Sequence, residues 1–591
     1  MIYAGLIHFN DPNSCKNRLL SILGSYTSAP TLIENSFLTL CYSKQHEEYD
    51  EVWENPSTLL LGRIFDKISA KELVRTDFEN FSSLSKEEAL GKIWGKYVYI
   101  KTHPEGPQFE IVLDSTGQLP FFYCTFSNGD ILFSSDIEIL FKVLSQKPEF
   151  NWTYLASYLV HGKNSATFTP FKDVFELPPG CCLKLTKNDQ KISPFWDPLA
   201  SYQASKTRRD SVDILRTTLK PLIEPYKNLC VSLSGGIDSS SLVYCLKNIK
   251  NEEQTLQAIN YYHSSIQSSN EAVHARAVCQ ETGIKLIEID LRDTLPFDPF
   301  DKKLAMHPNK PTPGLATLKW SDKISDHIPS DGSSIFLSGH GSDHIFMQPP
   351  TKRALSDYIL EEGLKGSRKV LKKLAHFYRD SLFSILKENG KSLSSYFFYG
   401  RSRKRHPRHK QDEGALWIKE RTYQEQSSDY IHPIYDHLPS QILPGKYQQL
   451  DTLYKGIASI HGQIHQFHPT YYPFLYEPIL EFALSFPTYE LFDQGYDRYP
   501  LRKAVSDYFK TDTIWRRSKG QTTGVTQLGV KKNLTYILDL CLEGELVKQG
   551  FVDKEGLHQA IISMASGDNE HLWSLIHIAS VEIFIHDWGC H

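Results

Sequence analysis

One loop, Ser234-Gly235-Gly236-Ile237-Asp238-Ser239-Ser240, constrains the fold of this chain more than any other stretch. It follows an apolar run, Asn228 to Leu233, that reads as a buried strand, and it precedes a helical run, Ser241 to Lys247. Two glycines let the backbone close around an anion, the helix start supplies unpaired N–H groups, and Ser234, Ser239 and Ser240 offer hydroxyls. That combination is a phosphate cradle. The lysine of a Walker loop is missing after the second glycine, and Asp238 is available instead to hold Mg²⁺ against phosphate oxygens. A second loop, Ser338-Gly339-His340-Gly341-Ser342-Asp343-His344, follows another short apolar run and offers Asp343 as a Mg²⁺ ligand opposite Asp238.

The rest of the chain supplies the setting. Its 591 residues exceed one small domain, and 40% hydrophobic with 23% charged residues provide material for more than one core. A net charge of −4 gives no global attraction to nucleic acid or an anionic membrane. Ten cysteines without a C-x-x-C pair suit a reducing cytoplasm, and no apolar run approaches the ~20 residues of a membrane helix. Strands are expected at Thr58–Leu61, Tyr97–Lys101, Phe109–Leu113, Phe121–Phe126, Asp130–Ser134 and Cys182–Leu185, so the first half reads as β-rich. Beyond a polar stretch, Ser201 to Arg209, strands alternate with helices at Asn228–Leu233, Leu256–Tyr262, Lys285–Asp290 and Ser334–Ser338, and the pattern is mostly helical after about 352. The expected division is 1–205 and 206–591.

Between Lys365 and Lys410 stand 14 Lys or Arg against Asp380 and Glu388. That excess reads either as a solvated helix with a linker or as a docking surface for an acidic peptide, protein or nucleic acid. His461, His465 and His468 share helical spacing, and a solvated face explains them better than a metal site. The stiff loop Pro308–Gly314 either borders a substrate pocket or connects elements.

The two glycine loops, in this order and about a hundred residues apart, resemble the asparagine synthetase family of ATP pyrophosphatases, and the resemblance spans nearly the whole chain. Other landmarks fall in sequence: Glu176-Leu177-Pro178-Pro179-Gly180 with Trp196-Asp197-Pro198, Asn270-Glu271 with Ala275, Tyr472 to Tyr476 with Leu480 to Ala483, Arg498 to Ala504, and Arg517-Ser518-Lys519. The resemblance implies a two-domain α/β and α+β fold. Its amino-terminal part would be an Ntn-glutaminase-like antiparallel β-sandwich, and its carboxyl-terminal part a parallel-sheet, adenine-nucleotide alpha-hydrolase-like synthetase domain with a helical extension. It implies ATP and Mg²⁺ as cofactors, nucleotide contacts from Ser234, Gly235, Gly236, Asp238, Ser239, Ser338 and Gly339, and metal ligation by Asp238 and Asp343. Lys519 and Arg517 are the implied catalytic cations, Lys519 placed where charge develops on departing pyrophosphate.

Two departures narrow the expectation. Glutamine-dependent members carry a nucleophilic Cys after the initiator Met, and here that position is Ile2, so the first domain is expected to lack glutaminase activity. His340 stands where asparagine synthetases usually have Glu and β-lactam synthetase has Tyr, and the loop looks most like that of lasso-peptide macrolactam synthetases. A peptide α-amine, with a pKa near 7.7 to 8.0, must lose a proton before it attacks, and an imidazole with a pKa of about 6.5 suits that transfer. His340 is therefore either a base for the amine or a hydrogen-bonding group. The resemblance implies a precursor peptide as substrate, with a leader-binding protein and a leader peptidase as partners, and neither membrane nor nucleic acid. A β-lactam-synthetase-like ligase acting on a small substrate and a non-catalytic adaptor of the same fold are the alternatives.

Overall fold

The computed structural model describes residues 1–9, 16–26, 30–35, 38–43, 50–103, 108–162, 167–204, 210–266, 270–329, 332–399, 417–419, 422, 431–460, 470–517, 520 and 523–589. Twelve strands of the first two hundred residues form two antiparallel sheets. One has the order β10-β8-β9-β1-β3-β2, with β1 Ile2–Ile7, β2 Thr31–Glu34, β3 Leu38–Ser43, β8 Phe122–Thr125, β9 Ile131–Ser134 and β10 Phe175–Glu176. The other runs β12-β11-β7-β6-β5-β4, with β4 Glu51–Asn55, β5 Thr58–Asp66, β6 Ile93–Thr102, β7 Phe109–Leu113, β11 Cys181–Leu185 and β12 Gln190–Pro194. Alternate residues of both sheets, among them Tyr3, Leu40, Leu61, Val98, Ile111 and Phe133, meet in a dry layer between them, as in a β-sandwich. All six strands expected here are present; β1 to β4, β10 and β12 are additional.

The second half builds a five-stranded parallel sheet in the order β15-β14-β13-β16-β17. Its members are β13 Asn228–Ser232, β14 Thr255–Tyr262, β15 Lys285–Asp290, β16 Ser334–Leu337 and β17 Thr470–Tyr471. From β13 the chain steps outward to β14 and β15, and later returns to lay β16 on the opposite side of β13. The order therefore reverses between β13 and β16. Loops at the carboxyl ends of such a strand pair open into a crevice that neighbouring connections cannot fill.

The last helices of the chain pack against both the first half and the segment from Phe297 to Leu318. Helix Leu572–Gly589 is apolar on all sides and shares one core with Ile137–Leu144 and Trp152–His161 of the first half, through residues such as Phe584, Trp588, Phe171 and Leu155. The loop Pro308–Gly314 is a connector: Asn309 accepts the Ile137 N–H at 2.7 Å and donates to Asp136 at 3.0 Å, and buried Lys310 pairs with Glu176. On another seam the buried Arg63 guanidinium of β5 donates to the Pro221 and Leu222 carbonyls, both at 2.9 Å. These are orphan acceptors at the end of helix Ser211–Ile223, so a sandwich side chain caps a helix of the parallel-sheet half. Among the described residues, no helix is long and apolar enough to cross a membrane.

Candidate active site

The crevice at the β13/β16 switch point holds the two glycine loops. Gly235 has φ +71°, and a Cβ there would stand 2.5 Å from His274 Cβ and 2.6 Å from its carbonyl carbon. Only glycine lets the loop turn this close to the neighbouring helix Ala272–Thr282. Gly339, in the loop after β16, faces the start of helix Ile237–Ile249, and its Cβ would lie 2.7 Å from Ser239 N and 2.8 Å from the Asp238 carbonyl carbon. The loops meet backbone to backbone. The sequence reading placed Ser234, Gly235, Gly236, Asp238, Ser239, Ser338, Gly339 and Asp343 together, and the structure puts their loops on adjacent strands.

Within the first loop, Ser239 Oγ accepts the Ser234 N–H at 3.2 Å, and Ser234 Oγ accepts the Gly236 N–H at 3.3 Å. These bonds fix the turn. Ser240 departs from expectation: it is wholly buried, so its hydroxyl cannot reach a ligand in the crevice. Asp238, in the first turn of its helix, accepts from Arg498 Nη1 at 3.0 Å, and the same nitrogen donates to Gln348 at 2.8 Å. Arg498 is itself buried, and its other arm lies 3.3 Å from Asp497, which also pairs with Arg502 at 3.2 Å.

Opposite this network a cavity of about 250 Å³ opens, lined by the phosphate-cradle loop, Gln348, Tyr496 and five arginines: Arg379, Arg498, Arg502, Arg516 and Arg517. Its acidic lining residues are Asp238, Glu271 and Asp497. Arg516 bridges the walls, donating to the Ser234 carbonyl at 3.1 Å and pairing with Glu271, which also accepts the Gly520 N–H at 2.7 Å. Arg517 lies over the Tyr496 ring at 4.9 Å and donates to the Gln494 carbonyl at 3.1 Å. Arg379 and Arg498 hold φ values of +50° and +49°, a left-handed conformation that costs non-glycine residues energy and concentrates at functional sites. Cations in excess of carboxylates, beside a glycine loop and a helix start, fit a polyphosphate.

The second loop carries different chemistry. His340 Nε2 lies 2.7 Å from Ser459 Oγ, its backbone N–H donates to Ser338 Oγ at 3.2 Å, and its ring lies 5.6 Å from that of Tyr472. Among the described residues the group able to offer three metal ligands is His340, Asp343 and His344, whose donor atoms lie within 4.8 Å of one another. Asp343 and Asp238 are each partly exposed and offer hard oxygen donors, which fit Mg²⁺, whereas the two imidazoles do not. Lys519 and the three histidines His461, His465 and His468 lie outside the described residues, as does the basic run beyond 399.

The sequence reading missed Arg516, Glu271 as its partner, Gln348 and Arg379 as cavity residues. Arg516 sits beside the chosen Arg517, and its contacts with the Ser234 carbonyl and Glu271 set it apart from its neighbour. Arg379 had been counted only as part of a charged stretch, and no local pattern marks it as a lining residue.

The asparagine synthase family model matches residues 215–442 and 468–586, which include both loops, Arg498 and Arg516. The chain belongs to the asparagine synthase family. A glutamine amidotransferase domain model matches residues 78–196, within the sandwich. Among curated relatives, the microcin J25-processing protein McjC of Escherichia coli is 22% identical over 412 residues, 67% of this chain and 67% of that protein. A dITP/XTP pyrophosphatase of Wigglesworthia glossinidia brevipalpis is 32% identical over 114 residues, 18% of this chain and 55% of its own length. Among solved structures, the glutamine phosphoribosylpyrophosphate amidotransferase from B. subtilis complexed with ADP and GMP matches at 9% identity and TM-score 0.17, over 58% of this chain and 71% of that one. Membership in the family supports ATP-dependent amide formation as the chemistry of this chain.

Proposed function

We propose that this asparagine synthase family member is a lasso-peptide cyclase. It adenylates an Asp or Glu side-chain carboxylate of a precursor peptide, releasing pyrophosphate, and the peptide's own terminal amine then displaces AMP to close a macrolactam. The observation that carries the reading is the arginine-rich cavity facing the Ser234–Ser239 cradle, joined to the likeness to a microcin-processing protein.

The residues divide the work. Ser234, Gly235, Gly236 and Ser239 shape the loop that presents N–H groups to phosphate, and Gly339 lets the Ser338 loop close on it. Bound Mg²⁺, with Asp238 and Asp343 as its protein ligands, would offset the triphosphate charge. Arg498 holds the Asp238 carboxylate in place, and Arg516 and Arg517 line the path of the leaving pyrophosphate with Lys519 as the added cation. His340, held by Ser459, takes the proton from the attacking amine.

The sandwich, residues 1–205, is read as a glutaminase-like domain without glutaminase activity. Besides Ile2, its described cysteines Cys41, Cys124, Cys181 and Cys182 are all buried, and burial pushes the Cys41 thiol up to about 11, far from a thiolate nucleophile at neutral pH. The substrate's own amine then replaces ammonia. Residues 206–591 are read as the synthetase domain, working in the cytoplasm with a leader-binding protein and a leader peptidase.

The deciding experiment measures pyrophosphate release from MgATP with and without leader-processed precursor peptide, followed by the product mass. Peptide-dependent release and loss of one water are expected. Turnover on a small amino acid derivative without peptide would favour a β-lactam-synthetase-like ligase, and absence of ATP binding would favour an adaptor. In the same assay His340→Ala is expected to keep pyrophosphate release while ring closure falls by about 10²- to 10⁴-fold. Loss of both activities would move His340 into the nucleotide site.

A further inference from the structure

The basic helices beyond the second loop expose a surface that the nucleotide site does not use. Helix Ser367–Tyr378 ends at the cavity, where His376, Phe377 and the following Arg379 form part of the wall, and helix Leu382–Tyr399 packs beside it. The second helix is anchored on one face. Ile385 is buried, and buried Asn389 accepts the Ser356 N–H at 2.8 Å while donating to the Lys352 carbonyl at 3.0 Å.

On the opposite face the apolar side chains are in water. Phe383 is 76% exposed, Leu386 49%, Phe397 70% and Phe398 81%. Phe383, Leu386 and Phe397 recur at spacings of three and eleven, which places them on one stripe of an α-helix, with Phe398 at its margin. At ~1.5 Å per residue the stripe runs about 21 Å from Phe383 to Phe397. Exposed Lys387 and Lys391 flank it, and exposed Arg368, Lys369 and Lys372 continue the positive charge along the first helix. Isolated surface apolar residues need no explanation, but a stripe of three phenylalanines and a leucine beside lysines on a well-anchored helix marks an interaction surface.

From this arrangement we propose that helices Ser367–Tyr378 and Leu382–Tyr399 form the docking surface for the peptide substrate, which they recognise through an acidic segment carrying apolar side chains. The apolar side chains seat on the Phe383–Phe397 stripe, and the carboxylates pair with the flanking lysines. Continuity with the cavity decides for a substrate over a distant partner: the first helix leads into the wall formed by His376, Phe377 and Arg379, so a peptide held along it has its reacting carboxyl delivered to the phosphate site. The inference rests on the proposed peptide substrate and adds where that peptide binds and what chemistry selects it.

The test uses the full chain and a fluorescein-labelled synthetic peptide with Leu and Phe at helical spacing on one side and Glu on its flanks. A control peptide has Lys in place of Glu. Anisotropy is expected to show binding of the acidic peptide only, weakening as salt rises from about 0.05 to about 0.5 M. The double variants Phe383→Ser/Phe397→Ser and Lys387→Glu/Lys391→Glu should each weaken binding about tenfold or more, with unchanged melting temperature and unchanged ATP binding. With precursor peptide and MgATP, the same variants should raise KM and leave kcat in place. Equal binding of both peptides, or variants with wild-type affinity and KM, would overturn the surface while leaving the cyclase reading intact. Acidic-peptide binding without any macrolactam would support the surface and sink the cyclase. A defect appearing only when the leader-binding protein is added would assign the stripe to that protein and overturn peptide docking.

Discussion

The two halves of this chain use glycine and buried charge in opposite ways. In the sandwich, Gly62 of β5 lies opposite Tyr97 and Gly95 of β6 opposite Ile64, where a Cβ would stand 2.1 Å from the Lys96 carbonyl oxygen or 2.2 Å from that of Arg63, so both close approaches serve strand pairing. In the parallel-sheet half, Gly235 and Gly339 let loops approach the starts of helices Ala272–Thr282 and Ile237–Ile249, at the open end of the sheet. Charges differ in the same way. Buried Lys96 and the Met1 ammonium both pair with Asp50, and Lys86 pairs with Glu110, so each of these buried cations has a carboxylate partner within the sandwich. Around the crevice, five arginines face three carboxylates in one cavity, an imbalance that an anionic ligand would correct. Buried charges that are each met by a partner inside the fold call for no ligand, whereas a cluster with cations in excess prepares a binding site.

Substitutions in the crevice should break this contrast with the largest effects. Asp238→Ala removes the proposed Mg²⁺ ligand and the partner of Arg498, and pyrophosphate release should fall by about 10³-fold or more. Lys519→Ala should cost about 10²- to 10³-fold in the same assay, and normal turnover would remove it from the mechanism. Gly339→Ala should follow at about 10²-fold, because its methyl must push the Asp238–Ser239 backbone away while both strands stay paired. An unchanged melting temperature with lost turnover would confirm that this glycine serves the site and not the sheet.

Much of this geometry was legible in the residues because the loops are local. A glycine pair between an apolar strand and a helix fixes its own conformation, so Ser234 to Ser239 and Ser338 to Asp343 could be read without knowing what surrounds them. Arg498, Arg516 and Arg379 were harder, since Arg379 lies far upstream of the other two and all three meet the cradle loop only through the tertiary fold. Strand β1 also escaped, because Ile2–Ile7 is buried almost throughout and lacks the alternation that marks a half-exposed strand. The destination of helix Leu572–Gly589 is a further case: all-round apolarity announces burial and says nothing about which half it will cover.

The seam between the halves gives the smallest effect and the sharpest use of the comparison. Lys67 of the sandwich donates to Glu477 and, at 3.4 Å, to Glu481, both on helix Glu477–Leu484 of the other half. One ammonium faces two carboxylates. Burial raises the Glu477 carboxyl to about 8, with the neighbouring Glu481 adding to the rise against the opposing pull of Lys67. A carboxyl with a higher pKa in the folded chain than in the unfolded one, near 4.5, stabilises the fold fully below that value. This contribution is lost as pH climbs through about 8, because the folded state holds the extra proton. Glu477→Gln imitates the protonated form and removes the titration. Its melting temperature relative to wild type should therefore rise between about pH 5 and pH 9, by a few degrees at most in a protein of this size. A difference that stays flat or falls would mean that Glu477 is ionised and that the seam is an ordinary ion pair, built like the balanced pairs inside the sandwich.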